Sequence, residues 1–245
     1  MLARTRIPLL ILLNFAGLGP AASYGQNAIP TLDLILLRMA RARTDNQAHL
    51  RPYSVTRQYR LVGSQEQTRS EVIADVSFVP PAFKQFVIQK SSGIGLGERI
   101  VRQMLEHETD IVKNNGATDM TLANYDFRYL REEELNGQPC YVLEMRPRRV
   151  DKILLHGQIW VDSLTYLLRR TEGEPGKAPS WWLRNARIAL VYGDVEGMWL
   201  QTASESTADV RFLGRHTMRS QDVRYQISEL VAAAGQSVGS VQPGR

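Results

Sequence analysis

Arg128-Tyr-Leu-Arg-Glu-Glu-Glu-Leu-Asn-Gly-Gln-Pro-Cys-Tyr-Val-Leu-Glu-Met-Arg-Pro147 decides the fold class. Asn136-Gly137 at its centre suits a two-residue turn with positive φ at both positions, and turns of that type match the twist of paired strands. The stretch therefore reads as a hairpin of Arg128–Leu135 on Gln138–Pro147. Just upstream, Tyr125, Phe127 and Tyr129 alternate with Asp126 and Arg128, so one face is apolar and the other wet. Downstream, Gly157–Asp162 and Tyr166–Glu172 form the next pair across Ser163-Leu164, and Gly173–Ser180 is a loop. Leu183–Val191 then pairs with Met198–Glu205 across Asp194–Gly197, and Val210–Leu213 and Gln221–Ile227 finish the pattern.

The same period of two governs the other side. Tyr53, Val55, Tyr59 and Leu61 alternate with polar residues, with Arg57 as the one charge in the apolar register. Val72, Ala74, Val76 and Phe78 repeat the pattern, Pro80-Pro81 breaks it, and Phe83–Lys90 resumes it. Two helices interrupt the strands. Thr31 can cap the first, with Asp33 in its first turn and Leu32, Ile35, Leu36 and Met39 on one face. Arg38, Arg41 and Arg43 are expected near its end, which should come by about Asn46. The second is expected over Glu98–Lys113, after a small Gly-rich stretch from Ser91 to Gly97 that reads as a hinge or lid loop. Asn114-Asn115-Gly116 is a stop.

The first 25 residues have the three parts of a cleavable leader. Met1–Arg6 is positive, Ile7–Leu18 is apolar, and small residues from Gly19 to Gly25 allow cleavage after Ser23 or Gly25. The apolar run is shorter than the roughly 20 residues of a membrane span. Removing the leader leaves about 220 residues, which suits one large domain. We expect a domain over residues 26–231 and a disordered tail over 232–245. Apolar content of 43% and charged content of 22% are ordinary for a globular fold. The net charge of +5 includes Arg4 and Arg6 of the leader, and basic and acidic residues alternate along the chain. No clustered cationic face for nucleic acid is legible. Cys140 is the one cysteine, in an apolar strand pattern, and reads as a buried thiol.

About ten strands share one apolar face, and two helices must cover it. A wide sheet with few covering elements curls around them and leaves room for an apolar hollow. In its order of elements the chain resembles the LolA/LolB-like family of outer-membrane lipoprotein-sorting proteins. The local likenesses are the helix Thr31–Arg43, the strand end Asp75-Val-Ser-Phe-Val-Pro-Pro-Ala-Phe83, and Gly157-Gln-Ile-Trp-Val-Asp162 leading into Tyr166-Leu-Leu-Arg-Arg170. The resemblance implies a mainly antiparallel α+β fold, an incomplete (half) β-barrel of about ten strands with covering helices. It also implies a cavity that shelters acyl chains.

Catalytic patterns are weak. Gly235-Gln-Ser237-Val-Gly239 matches a serine nucleophile elbow in letters but lacks the strand before it and the helix after it. His49, His107, His156 and His216 have no second His or Cys at metal-ligand spacing. Gly93-Ile-Gly95-Leu-Gly97 lacks the third glycine of a dinucleotide loop and the Lys-Ser/Thr of a phosphate loop. Glu132-Glu133-Glu134 reads as a solvated strand end. Trp181-Trp182 suits either core packing or a cavity rim, and Trp160 faces opposite to Ile159 and Val161. Arg57 requires a partner: a carboxylate within the fold, or a ligand headgroup at the cavity mouth.

The expectation is a non-enzymatic, exported periplasmic protein that binds the acyl chain of a lipid or lipoprotein, without metal or cofactor. Its ligand-binding residues would be Tyr53, Val55, Arg57, Tyr59, Val76, Phe78, Phe127, Ile159, Val161 and Trp182. Envelope transport proteins and transient membrane contact would follow from a carrier role. The alternative is an envelope sensor or structural module that binds a protein partner.

Overall fold

Thr31 opens the fold: its hydroxyl accepts the N–H of Leu34 at 3.4 Å and caps α1 (Leu32–His49). The computed structural model describes residues 30–113, 119–151, 153–177 and 183–228. The expected leader, the tail and Trp181-Trp182 lie outside the described residues. After α1 come β1 (Tyr53–Val62), β2 (Thr68–Val79), β3 (Phe83–Gly93), α2 (Gly95–Lys113), β4 (Tyr125–Leu135), β5 (Gln138–Pro147) and β6 (Leu155–Asp162). Then β7 (Leu168–Pro175), β8 (Leu183–Val195), β9 (Met198–Val210) and β10 (Gly214–Ile227) complete the described elements.

All ten strands form one antiparallel sheet in the order β3-β2-β1-β10-β9-β8-β7-β6-β5-β4. The sheet is open, with β3 and β4 as its edges, and is the incomplete barrel with covering helices expected from the sequence. Strands β4 to β10 are a hairpin meander, and β1–β3 are added to its far side by pairing β1 with β10. Asn136 (φ 53°) and Gly137 (φ 78°) turn β4 into β5 with the positive φ values the dipeptide suggested.

One inner row crosses the whole sheet in register: Ser91, Val72, Tyr59, Ser220, Ser204, Leu190, Thr171, Ile159, Leu143 and Tyr129. Its chemistry changes along the way. Near the β1–β3 side it feeds a core of Val55, Tyr59, Leu61, Val72, Ala74 and Val76 under Val101 and Leu105 of α2. At the β4–β7 side it feeds a second core of Tyr141, Leu143, Met145, Ile159 and Val161 under Ile35 and Met39 of α1. Each fully buried aliphatic side chain contributes about 1.5–3 kcal/mol. Between the two cores the row is small and hydroxylic, and Ser204 and Ser220 hydrogen-bond at 2.7 Å. A third small cluster, Cys140, Val142 and Trp160, occupies the other face, as the alternation with Ile159 and Val161 required. Burial pushes the Cys140 thiol up, so it stays protonated.

Several boundaries differ from the sequence reading. Helix α1 runs past Asn46 because the Asn46 side chain is fastened to β9, donating to the Trp199 carbonyl (2.9 Å) and accepting its N–H (2.7 Å). The arginines therefore sit mid-helix. Tyr166 is not in a strand. It lies in a turn at φ 59°, where Asp162 accepts the N–H groups of Leu164 (2.9 Å) and Thr165 (2.8 Å). Val210 ends β9, and residues 211–213 are the turn, with β10 beginning at Gly214 rather than Gln221. The polar inner residues of both strands hid their length.

The Gly-rich stretch is not a lid loop. Ser91–Gly93 finishes β3 and Gly95 begins α2. A Cβ on Gly97 would lie 2.3 Å from Ser70 Cβ, so this glycine lets the helix touch β2. A Cβ on Gly95 would meet nothing within 4 Å. We expect Gly97→Ala to destabilise the protein by about 1–3 kcal/mol through overpacking, and Gly95→Ala to change stability by less than about 1 kcal/mol. Denaturant titration of the two variants checks this, and equal losses would refute the close-approach reading.

Candidate functional site

A cavity of about 560 Å³ opens between α1 and the inner face of the sheet. Leu36, Met39 and Ala40 of α1 form one wall. Phe127 of β4, Leu168 of β7, Tyr192 of β8 and Trp199 of β9 form the floor, and Met120–Ala123 close the side leading into β4. That side is held by Asn124, which donates to the Asp119 carbonyl at 2.8 Å, and by a hydrogen bond from Thr171 Oγ1 to Met120 Sδ at 3.5 Å. Polar groups gather at the rim, where Arg43 of α1 is ion-paired with Asp119. Burial pushes the Tyr192 phenol up to about 12, so it enters the cavity as a neutral hydroxyl.

The opposite flank of α1 lines a second cavity of about 410 Å³. Arg38, Arg41, Asp45 and His49 face it, and Asn46, Tyr166, Leu167 and Trp199 border both spaces. The helix is thus a partition with an apolar stripe at Leu36, Met39 and Ala40 and a charged stripe one turn-face away. It is tied down by the Arg38 guanidinium, which donates to the Tyr166 hydroxyl at 2.5 Å and lies 5.0 Å from the ring centroid. The Arg43–Asp119 pair and the Asn46–Trp199 bonds complete its attachment.

The sequence-derived binding residues share one face of the sheet but divide between its two cores. Val55, Tyr59 and Val76 are packed under α2, with at most 1% of their surface exposed. Tyr53 sits beside them, its ring 5.5 Å from Phe78 and 5.9 Å from Tyr225. Ile159 and Val161 are fully covered beneath α1. Phe127 alone of the described set lines the large cavity, and Trp182 lies outside the described residues. The reading missed Met120, Leu168, Tyr192 and Trp199. Met120 is in an irregular segment with no period to follow, and the turn at Tyr166 and the bulge at Val191/Tyr192 shift the other registers.

Arg57 has carboxylate partners within the fold. It binds Asp222 through both Nε and Nη2, and its Nη1 lies 3.4 Å from Glu108 of α2. Lys84 of β3 reaches the same Glu108 at 2.5 Å, and the Tyr225 hydroxyl donates to Asp222. A β-bulge makes this possible: the β1–β10 register passes from Thr56↔Arg224 to Arg57↔Asp222, leaving Val223 outside the ladder. Burial works against the Glu108 charge, but Lys84 and Arg57 hold its carboxyl below the usual carboxylate range. Burial, and the hydrogen bond to Asp222, push the Tyr225 phenol up. Tyr59 contributes ring packing here; its buried hydroxyl has no hydrogen-bond partner among the described residues. The cluster is a structural clamp between α2 and three strands.

The catalytic candidates lead no further. His107 is on the solvated face of α2, and the Glu132–Glu134 run is a strand end where Glu133 meets Arg131 and accepts from Trp160 Nε1 at 3.2 Å. The Gly235–Gly239 pattern lies outside the described residues. Among the described residues no group of three or more His, Cys, Asp or Glu is placed to hold a metal ion, and no helix is long and apolar enough to cross a membrane.

We expect Asp222→Ala to cost about 3–5 kcal/mol, because it strands a buried guanidinium, while Tyr59→Phe changes stability by less than about 1 kcal/mol. The stabilising contribution of Glu108 is present above the ordinary carboxylate pKa of about 4.3 and is lost as pH falls through its lower folded-state value. Denaturation midpoints measured from pH 7 to pH 2 should therefore fall less steeply in Glu108→Gln than in the parent; parallel curves would refute this assignment.

No family model matches the chain, and no curated protein matches it. Solved structures do. A domain assigned to outer membrane lipoprotein sorting from Vibrio parahaemolyticus is 15% identical, with a TM-score of 0.46, over 80% of this chain and 94% of that one. A DUF1329 family protein from Desulfovibrio piger is 13% identical, with a TM-score of 0.43, over 81% and 94%. A LolA superfamily protein from Nitrosomonas europaea is 13% identical, with a TM-score of 0.39, over 82% and 96%. The chain is thus similar in structure to LolA-superfamily and lipoprotein-sorting domains.

Proposed function

We propose that this chain is an exported, non-enzymatic binding protein of the bacterial periplasm whose apolar cavity takes the acyl chain of a lipid or lipoprotein, in transport or sorting toward the outer membrane. The observation that carries the reading is the cavity of about 560 Å³ walled by Leu36, Met39, Phe127, Leu168 and Trp199. Its size is within the range of small-molecule sites. Burying ten methylenes there would contribute about 8 kcal/mol at about 0.8 kcal/mol each, which exceeds the lower estimates of association cost, about 4 kcal/mol. The charged rim would orient a polar headgroup outward. The leader over residues 1–25 would deliver the domain to the periplasm.

A second reading has its own observation. Edge strand β3 exposes Phe83 and Val87, at 54% and 58%, beside an unpaired backbone. The other edge, β4, is dense in charge and carries a bulge between Tyr129 and Arg131. Edges like β3 accept an added strand, which would suit a module that binds an extended protein segment.

Ala40 is exposed at the cavity wall, so Ala40→Trp fills the space without disturbing either core. We expect it to weaken uptake of a fluorescent fatty acid at least about tenfold with an unchanged thermal midpoint. Uptake equal to that of the parent would overturn the cavity reading. Absence of uptake by the parent itself, together with peptide capture at β3, would put the interaction module in its place.

A further inference from the structure

The turn joining β9 to β10 ends the sheet in five successive exposed residues, Arg211, Phe212, Leu213, Gly214 and Arg215. Phe212 is 90% exposed and Leu213 56% exposed. The Leu213 N–H donates to the Val210 carbonyl at 3.0 Å and closes the turn. That geometry does not call for an aromatic residue. Phe212 has φ 71°, the left-handed region that glycine and asparagine tolerate and a bulky residue disfavours. The side chain neither packs in the fold nor suits its own backbone, so folding gives no reason for a phenylalanine here.

Its surroundings are cationic. The Arg211 guanidinium lies 5.2 Å from the Phe212 ring centroid, and Arg215, the second residue of β10, stands opposite Asp209 in register. Arg184 of β8 pairs in register with Asp209, whose carboxylate also accepts from Asn185 at 2.7 Å. Among the described residues, three arginines stand around this apolar point, with Asp209 in register between Arg184 and Arg215.

We propose that this tip is a contact site for an anionic lipid surface. Phe212 and Leu213 enter the headgroup–acyl boundary, while Arg211, Arg215 and Arg184 meet lipid phosphates. Long arginine stems let the charges stay at the level of the headgroups while the apolar pair enters below them. Two side chains at a convex tip offer far less area than the roughly 800 Å² per partner that a stable protein interface buries, whereas a bilayer interface accepts isolated apolar side chains. The assignment holds whether or not the cavity takes an acyl chain.

The test uses the chain recovered from an envelope fraction and flotation with vesicles of phosphatidylcholine alone or mixed with phosphatidylglycerol. The parent should float with the mixed vesicles and be released by salt. Phe212→Asp, and Arg211→Glu with Arg215→Glu, should each lower the bound fraction about tenfold. Phe212→Gly should weaken binding as well, with a thermal midpoint equal to or above that of the parent, which separates loss of the contact from loss of the fold. Fatty-acid uptake should be unchanged in all of them. A parent that floats with neither vesicle, or tip variants that bind as the parent does, would overturn the proposal. Loss of uptake in the tip variants would also overturn it, by tying the tip to the cavity instead.

Discussion

The pairing of β1 with β10 joins the first strand of the sheet to the last. The hairpin meander β4–β10 can form from neighbours in sequence. The three strands β1–β3 cannot join it until β10 exists, so their place in the sheet depends on this one long-range ladder. The ladder is specified twice. Alternation puts Val55, Tyr59 and Leu61 inward opposite Tyr225, Ser220 and Met218. The bulge at Val223 then sets Asp222 opposite Arg57. A shift by one residue would turn every inner side chain of β1 outward and separate a buried arginine from its carboxylate.

The elements whose residues carry their own signal were legible in the sequence. Asn136-Gly137, the alternation from Tyr53 to Phe78, and the capped helix at Thr31 each depend on local chemistry, and each stands where the reading placed it. The ends of β9 and β10 were not legible, because Ser204, Ser206 and Ser220 face inward without being apolar. Period-two reasoning looks for a hydrophobic face, and these strands cross the middle of the sheet where there is none. Arg57 was visible as an anomaly in an apolar register, but its acids are separated from it by 51 and 165 positions and no local pattern points to them.

The same sparse middle explains where the cavity is. Helix α2 covers β1–β3, and the first turns of α1 cover β4–β7. Small side chains in the central strands give neither helix a reason to move inward. The wall that remains is made by long side chains near the β8–β9 turn, Tyr192 and Trp199, with Phe127 from the edge strand β4. The candidate site is therefore a property of how two cores fail to meet. Residues read from sequence as apolar and inward, such as Ile159 and Val161, are the ones that the cores have already used.

The two helices bury similar apolar stripes but differ in what else holds them. Glu108 of α2 bonds to both Lys84 and the buried Arg57, so lifting this helix removes a carboxylate from a desolvated charge cluster. That is costly, because breaking a buried pair leaves uncompensated charge. The ion pair of α1, Arg43 with Asp119, has side chains 39% and 30% exposed, and water can replace each partner. Arg38 and Asn46 likewise bond at the margin of the cavities. The free energy of local opening is lowest where few buried apolar contacts and solvent-accessible hydrogen bonds coincide. By that criterion α1, which walls the cavity, is held less firmly than α2, which is locked to β1–β3 by a buried charge cluster.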